Sequence, residues 1–110
     1  MADKRHSGQP SLPRDLMIVL THLPVEGVDL FLRDLLTPAE IETLGERWEI
    51  IKQLANGKSQ RSISESVGAS VTTVSRGNRQ LKYGEGGFQR ALEQLAVIGD
   101  ASDDVPEGQA

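Results

Sequence analysis

Between Leu12 and Ile98 the apolar residues recur every three to four positions in six successive blocks, and no stretch alternates with a period of two. The chain therefore reads as all α. Leu12, Leu16, Val19, Leu20 and Leu23 form the first stripe, with Ser11 ahead of Pro13 as its start and Pro24 closing it. Val28, Phe31, Leu32 and Leu35 form a second, shorter one. Thr37-Pro38-Ala39-Glu40 opens the third with a capping box and a proline at the first helical position. Its stripe is Ile41, Leu44, Trp48, Ile51, Leu54 and Ala55, and Asn56-Gly57 ends it after about nineteen residues. Two short helices follow, around Gln60 to Val67 and Val71 to Lys82, with Gly68 at the turn and Ser70 as the second cap. Tyr83-Gly84-Glu85-Gly86-Gly87 breaks the pattern and reads as a hinge, because neither a preceding strand nor G-x-G-x-x-G spacing supports a phosphate loop. Phe88, Leu92, Leu95, Ala96 and Ile98 mark the last helix. The polar arm 1–11 and the acidic tail 99–110 are expected to be disordered, leaving 12–98 as one folded domain.

Composition narrows the chemistry. With no cysteine, and with His6 and His22 outside the patterned centre, disulfides, thiolate metal sites and histidine clusters are all excluded. No apolar run approaches the roughly 20 residues of a membrane span, and no signal-peptide pattern opens the chain, so a cytoplasmic protein without membrane contact is expected. No G-x-S-x-G, metal triad or paired-carboxylate site stands out, which argues against an enzyme.

A net charge of −4 would argue against nucleic acid, but its distribution reverses the argument. Asp100, Asp103, Asp104 and Glu107 place all of it beyond residue 98. Residues 57–82 carry Lys58, Arg61, Arg76, Arg79 and Lys82 against Glu65 alone, whereas residues 24–49 hold seven acids against Arg33 and Arg47. Such polarisation is either the footprint of a nucleic-acid surface or a solvated helix face.

Two short helices about a glycine turn, the second rich in Ser, Thr and Arg, match a DNA-reading helix-turn-helix, a pattern shared with helix pairs of unrelated bundles. Ile63 and Val67 point inward from the first helix, Val74 and Leu81 from the second. On a wheel of roughly 100° per residue, Thr72, Ser75, Arg79 and Lys82 share an exposed strip suited to a major groove. Thr73, Arg76 and Gln80 share a third strip, beyond the two faces that DNA reading needs. Gly77 costs about 1 kcal/mol against alanine in a helix interior, so either close helix packing or an approaching planar ligand requires its missing side chain. Arg47 and Arg76 are ordinary surface arginines or two planes flanking a flat ligand.

Leu36-Thr37-Pro38-Ala39-Glu40, Leu44-Gly45-Glu46-Arg47, Ser59-Gln60-Arg61, Gly68-Ala69-Ser70, Thr73-Val74-Ser75-Arg76-Gly77 and Leu81-Lys82 together resemble the tryptophan repressor family in order and almost in spacing. The resemblance implies a six-helix fold, an intertwined homodimer, and binding to a palindromic double-stranded operator when L-tryptophan fills a pocket beside the recognition helix. It implies that Arg47 and Arg76 sandwich the indole, that Arg76 holds the ligand carboxylate, and that Ile51, Thr73 and Gly77 wall the pocket. Leu36 and Thr37 match positions supplied by the partner subunit. Gln60, Arg61, Ser64, Val71, Thr72 and Ser75 match operator-facing positions, joined by Arg79 and Lys82 from the wheel. Gln80 stands where the family usually has a serine near the ligand ammonium, and Asp34 is a candidate anionic partner for that ammonium. The expectation is a repressor with L-tryptophan as effector and no other cofactor. Two alternatives remain at this stage: a related regulator answering another aromatic or indole metabolite or none, and a helical protein-interaction module.

Overall fold

The computed structural model describes residues 10 to 102 and shows six helices. They are α1 (Arg14–His22), α2 (Val25–Leu35), α3 (Pro38–Ala55), α4 (Gln60–Val67), α5 (Val71–Tyr83) and α6 (Gly87–Ser102). No strand occurs among the described residues, as the periodicity requires. The chain divides into two units, Met1–Ile41 and Glu42–Ala110, with the boundary inside α3.

In the first unit the helix ends are set by prolines. Pro13, not Ser11, occupies the cap position of α1, and no side chain caps it. Proline suits this place because its missing N–H would be unsatisfied there anyway. Pro24 both closes α1 and stands at the cap of α2, which begins at Val25, three residues ahead of its first predicted stripe position. Asp29 and Arg33 pair at 3.1 Å across one turn of α2. The capping box of α3 is present in full. The Thr37 N–H donates to Glu40 Oε1 at 2.8 Å, and the Glu40 N–H donates to Thr37 Oγ1 at 3.2 Å. Neither α1 nor α2 buries a single side chain.

The core of the second unit is small and aliphatic. Ile50, Ile63 and Val74, one each from α3, α4 and α5, are all but inaccessible to solvent and meet one another, with Leu54, Val67 and Ala69 packed around them. Ile63, Val67 and Val74 are inward residues of the sequence pattern; Leu81 is half-buried. The third stripe is corrected at two positions. Ile50 joins Ile51 in the buried set, and Leu44 is half exposed, because α4 and α5 pack only along the C-terminal turns of α3.

Glycine and serine build the joints. Gly57 takes φ +82 at the end of α3, and the Lys58 N–H reaches back to the Gln53 carbonyl at 3.1 Å, a Schellman ending. Ser59 caps α4 through the Ser62 N–H, and Ser66 Oγ donates to Gln53 Oε1 at 3.1 Å, tying α4 to α3. Gly68, at φ +86, turns the chain, and Ser70 caps α5 by accepting from the Thr73 N–H at 3.0 Å. At Gly84 a Cβ would strike the Gln80 carbonyl, so only glycine ends α5 in this way. Gln89 Nε2 then donates to the Leu81 carbonyl across the glycine segment.

α6 runs through Ser102, past the predicted end at residue 98. Gly99-Asp100-Ala101-Ser102 was assigned to the tail on small and acidic content, yet no proline interrupts the helix there. The rest of the acidic tail, residues 103–110, and residues 1–9 of the arm lie outside the described residues.

Candidate functional site

The second unit contains a cavity of about 530 Å³ between α3, α5 and the start of α6. Arg47, Ile51, Thr73, Arg76, Gly77 and Gln80 all line it, so the six positions assigned from this unit converge on one space. Its α3 wall also contains Thr43, Glu46 and Ile50, and Phe88 comes from α6.

Helix geometry explains the grouping. Positions 43, 46, 47, 50 and 51 follow three- and four-residue steps along one face of α3, as do 73, 76, 77 and 80 along α5. The two faces meet at Gly77, where an added Cβ would lie 3.1 Å from Ile50 Cγ2, 3.8 Å from Ile51 Cδ1 and 3.9 Å from Leu54 Cδ1. Close helix packing therefore requires the glycine, and the same glycine lines the cavity. Ile50, Ile51 and Gly77 make the apolar floor. Glu46 and Arg47 stand one helical turn before the isoleucines.

The polar wall is largely uncommitted. Arg47, Arg76 and Glu46 take part in no ion pair or side-chain hydrogen bond among the described residues. Thr73 Oγ1 lies 2.9 Å from the Ser70 hydroxyl, so the cap that starts α5 also orients this wall residue. Two guanidinium planes, hydroxyls and an apolar floor suit a flat ligand with an anionic end.

A second depression, about 410 Å³, opens on the outer side of α5 and is lined by Gln60, Val71, Thr72, Ser75, Arg76 and Arg79. Five of these were assigned to an operator-facing surface, and the sixth, Arg76, was assigned to the ligand. Arg76 lines both spaces. Arg61 and Lys82 are exposed but outside this depression. Ser64 is half-buried and donates its hydroxyl to the Ala69 carbonyl at 2.5 Å, so its proton serves the α4–α5 turn.

Asp34, Leu36 and Thr37 are not among the residues lining the cavity. Leu36 is the C-terminal cap of α2, and Thr37 is engaged in the α3 capping box. The acid that does line the cavity is Glu46. Sequence reasoning passed over Thr43, Glu46, Ile50 and Phe88. The first three were accessible in principle, since they continue the spacing of Arg47 and Ile51. Phe88 depends on how the glycine segment returns α6, for which no local pattern exists.

A shallower apolar groove of about 430 Å³, with Trp48, Glu85, Gly86, Gly87 and Ala91 in its walls, adjoins the cavity through Gln80 and Phe88. Among the described residues no cluster of histidine, cysteine or carboxylate side chains is arranged to hold a metal ion. No helix among them is long and apolar enough to cross a membrane.

Fold and site together define an all-helical fold in which α5 walls a small-molecule-sized cavity against α3 and the start of α6 on one side and, with Gln60 of α4, bears a polar, basic strip on the other. The chain belongs to the Trp repressor protein family, whose model matches residues 16–96. It is 37% identical over 77 residues to the uncharacterized protein YerC of Bacillus subtilis, covering 70% of this chain and 74% of that one. It is 48% identical over 56 residues to the Trp operon repressor homolog of Photobacterium profundum, which is 50% of this chain and 54% of the relative. Among solved structures, a TrpR-like protein from Eubacterium eligens superposes with a TM-score of 0.68 at 34% identity, covering 76% of this chain and 86% of that one.

Proposed function

We propose that this chain is an effector-responsive transcriptional repressor that binds a palindromic operator as a homodimer through α4 and α5, with L-tryptophan as corepressor. The observation that carries the reading is the double position of Arg76, in the wall of the cavity and in the wall of the outer depression. A ligand carboxylate that fixes this guanidinium on one side biases the surface offered to DNA on the other. Ligand and operator affinities are then reciprocally coupled, typically by about 1 to 3 kcal/mol. On the outer side, Thr72 and Ser75 offer hydroxyls to base edges, Val71 offers an apolar contact for a thymine methyl, and Arg79, Arg61 and Lys82 meet phosphates. Membership of the Trp repressor protein family, with relatives named Trp operon repressor homolog, supports the same reading, and supports a regulator rather than an enzyme.

Gel shifts with and without L-tryptophan, at 50 and at 200 mM salt, test the proposal. Ligand-enhanced binding that weakens steeply with salt is expected, because cations on phosphates release counterions. Arg76→Ala is expected to remove the ligand dependence while the chain stays folded; retention of full ligand dependence refutes the coupling. Absence of a salt-sensitive DNA complex, with or without an aromatic amino acid, would instead point to a protein-interaction module.

A second reading keeps the DNA-binding role and changes the ligand. Gln80 and Phe88 bring bulk to one end of the cavity, which favours an aromatic or indole metabolite of different outline. Calorimetry with L-tryptophan separates the two, since absence of heat at millimolar ligand removes tryptophan.

A further inference from the structure

Two cations, Arg47 and Arg76, line the cavity, and they are accompanied there by a single acid, Glu46. None of the three is neutralised by an ion pair among the described residues. Glu46 and Arg47 are adjacent in sequence, and adjacent helical positions do not face each other, so Arg47 is poorly placed to satisfy the Glu46 carboxylate. Glu46 is half-buried and stands one turn before Ile50, at the edge of the apolar floor. Arg76 approaches the same space from α5, as does the Gln80 amide. The cavity thus presents cation and anion on two different helices around an apolar centre. That arrangement is complementary to a molecule carrying a carboxylate and an ammonium beside an apolar side chain.

We propose that Glu46 is a specificity-determining residue that accepts the ammonium group of the effector, making the cavity selective for an α-amino acid over the corresponding deaminated acid. The proposal rests on the reading of the cavity as an effector site and adds to it the group that distinguishes one ligand class from another. Arg76 alone would hold either ligand by its carboxylate. Glu46 has nothing to bind in the deaminated acid and faces it as an uncompensated anion, which costs affinity twice: a missing charge-assisted bond and a desolvated carboxylate.

The test is calorimetry on the full chain with L-tryptophan and with indole-3-propionate, which is tryptophan with the ammonium replaced by hydrogen. The wild-type chain is expected to prefer the amino acid by about tenfold, the modest size reflecting the partial exposure of Glu46. Glu46→Gln, which keeps the side-chain size and removes the charge, is expected to erase most of that preference. Glu46→Asp, which keeps the charge, should retain part of it and guards against an effect of misfolding. Arg76→Ala should weaken both ligands alike. Equal affinities in the wild type, or an unchanged ratio in Glu46→Gln, overturn the role of Glu46 and leave the effector site standing. Binding of neither ligand by the wild type overturns the effector reading, and this proposal with it.

Discussion

Gly77 is the residue at which packing and function are hardest to separate. The alanine Cβ would sit 3.1 Å from Ile50 Cγ2, and Ile50 is itself only 2% exposed and wedged against Ile63 and Val74. The isoleucine therefore has little room to give. Gly77→Ala gains about 1 kcal/mol of helix propensity but pays an overpacking cost of about 1 to 3 kcal/mol, so net destabilisation of about 1 kcal/mol is expected in a denaturation midpoint. Ligand affinity should fall as well, since the methyl group also intrudes on the cavity wall. Glu49 gives a pH prediction. Hydrogen bonds from Gln53 and Lys52, together with the Lys52 charge, hold its carboxyl below the usual value of 4.5. A depressed folded-state pKa contributes stability that is present above the unfolded value and is lost as pH falls through the folded one. Glu49→Gln should accordingly lower the melting temperature slightly at neutral pH, with the difference from wild type closing below about pH 4 and shrinking in high salt.

At the scale of elements, α5 is a helix with three faces, and its order of residues assigns one task to each. Val74 and Leu81 turn inward, Thr73, Gly77 and Gln80 line the cavity, Thr72, Ser75 and Arg79 line the outer depression, and Arg76 lines both. Thr72→Ala combined with Ser75→Ala should lower discrimination between operator and random DNA, by about 1 to 3 kcal/mol for the pair, with ligand affinity unchanged. A loss of ligand affinity would mean that the faces are exchanged. Much of this was legible in sequence, because a helical wheel needs only spacing: the separation of Thr73 from Thr72 and Ser75 follows from 3.6 residues per turn, whereas Arg76, placed on the third strip by the wheel, also lines the outer depression. The Thr37 and Ser70 caps were legible for a similar reason, since each acts on an N–H group three residues further on; the Ser59 cap of α4 emerges only in the structure. The start of α1 was not. Ser11 and Pro13 both suit a helix start, and proline's fixed φ placed the boundary one residue after it.

For the whole molecule, the distribution of burial is the main observation. The fully buried large residues among those described, Ile50, Ile51, Ile63 and Val74, all come from the second unit, while α1 and α2 bury none. Val25 at 81%, Leu30 at 66% and Leu12 at 64% exposure leave apolar surface that amphipathic helices normally cover. A homodimer, part of the proposed function, would cover it with a second copy. Sedimentation is expected to give twice the chain mass at micromolar concentration, and the melting temperature should rise with protein concentration by mass action. A concentration-independent melting temperature with monomer sedimentation would contradict it.

The sequence by itself determined what depends on neighbours a few residues apart: the six helices, the caps at Thr37 and Ser70, the glycine turns, the polarised charge, and most of the division of α5 into faces. Tertiary structure decided what depends on which faces meet. It brought α3 and α5 together at Gly77 so that Ile50 became core and Glu46 lined the cavity, left Leu44 half exposed beyond the reach of α4 and α5, and returned α6 so that Phe88 closed the cavity. Helical periodicity states which way a side chain leaves its own axis; only packing against a second helix states what it finds there.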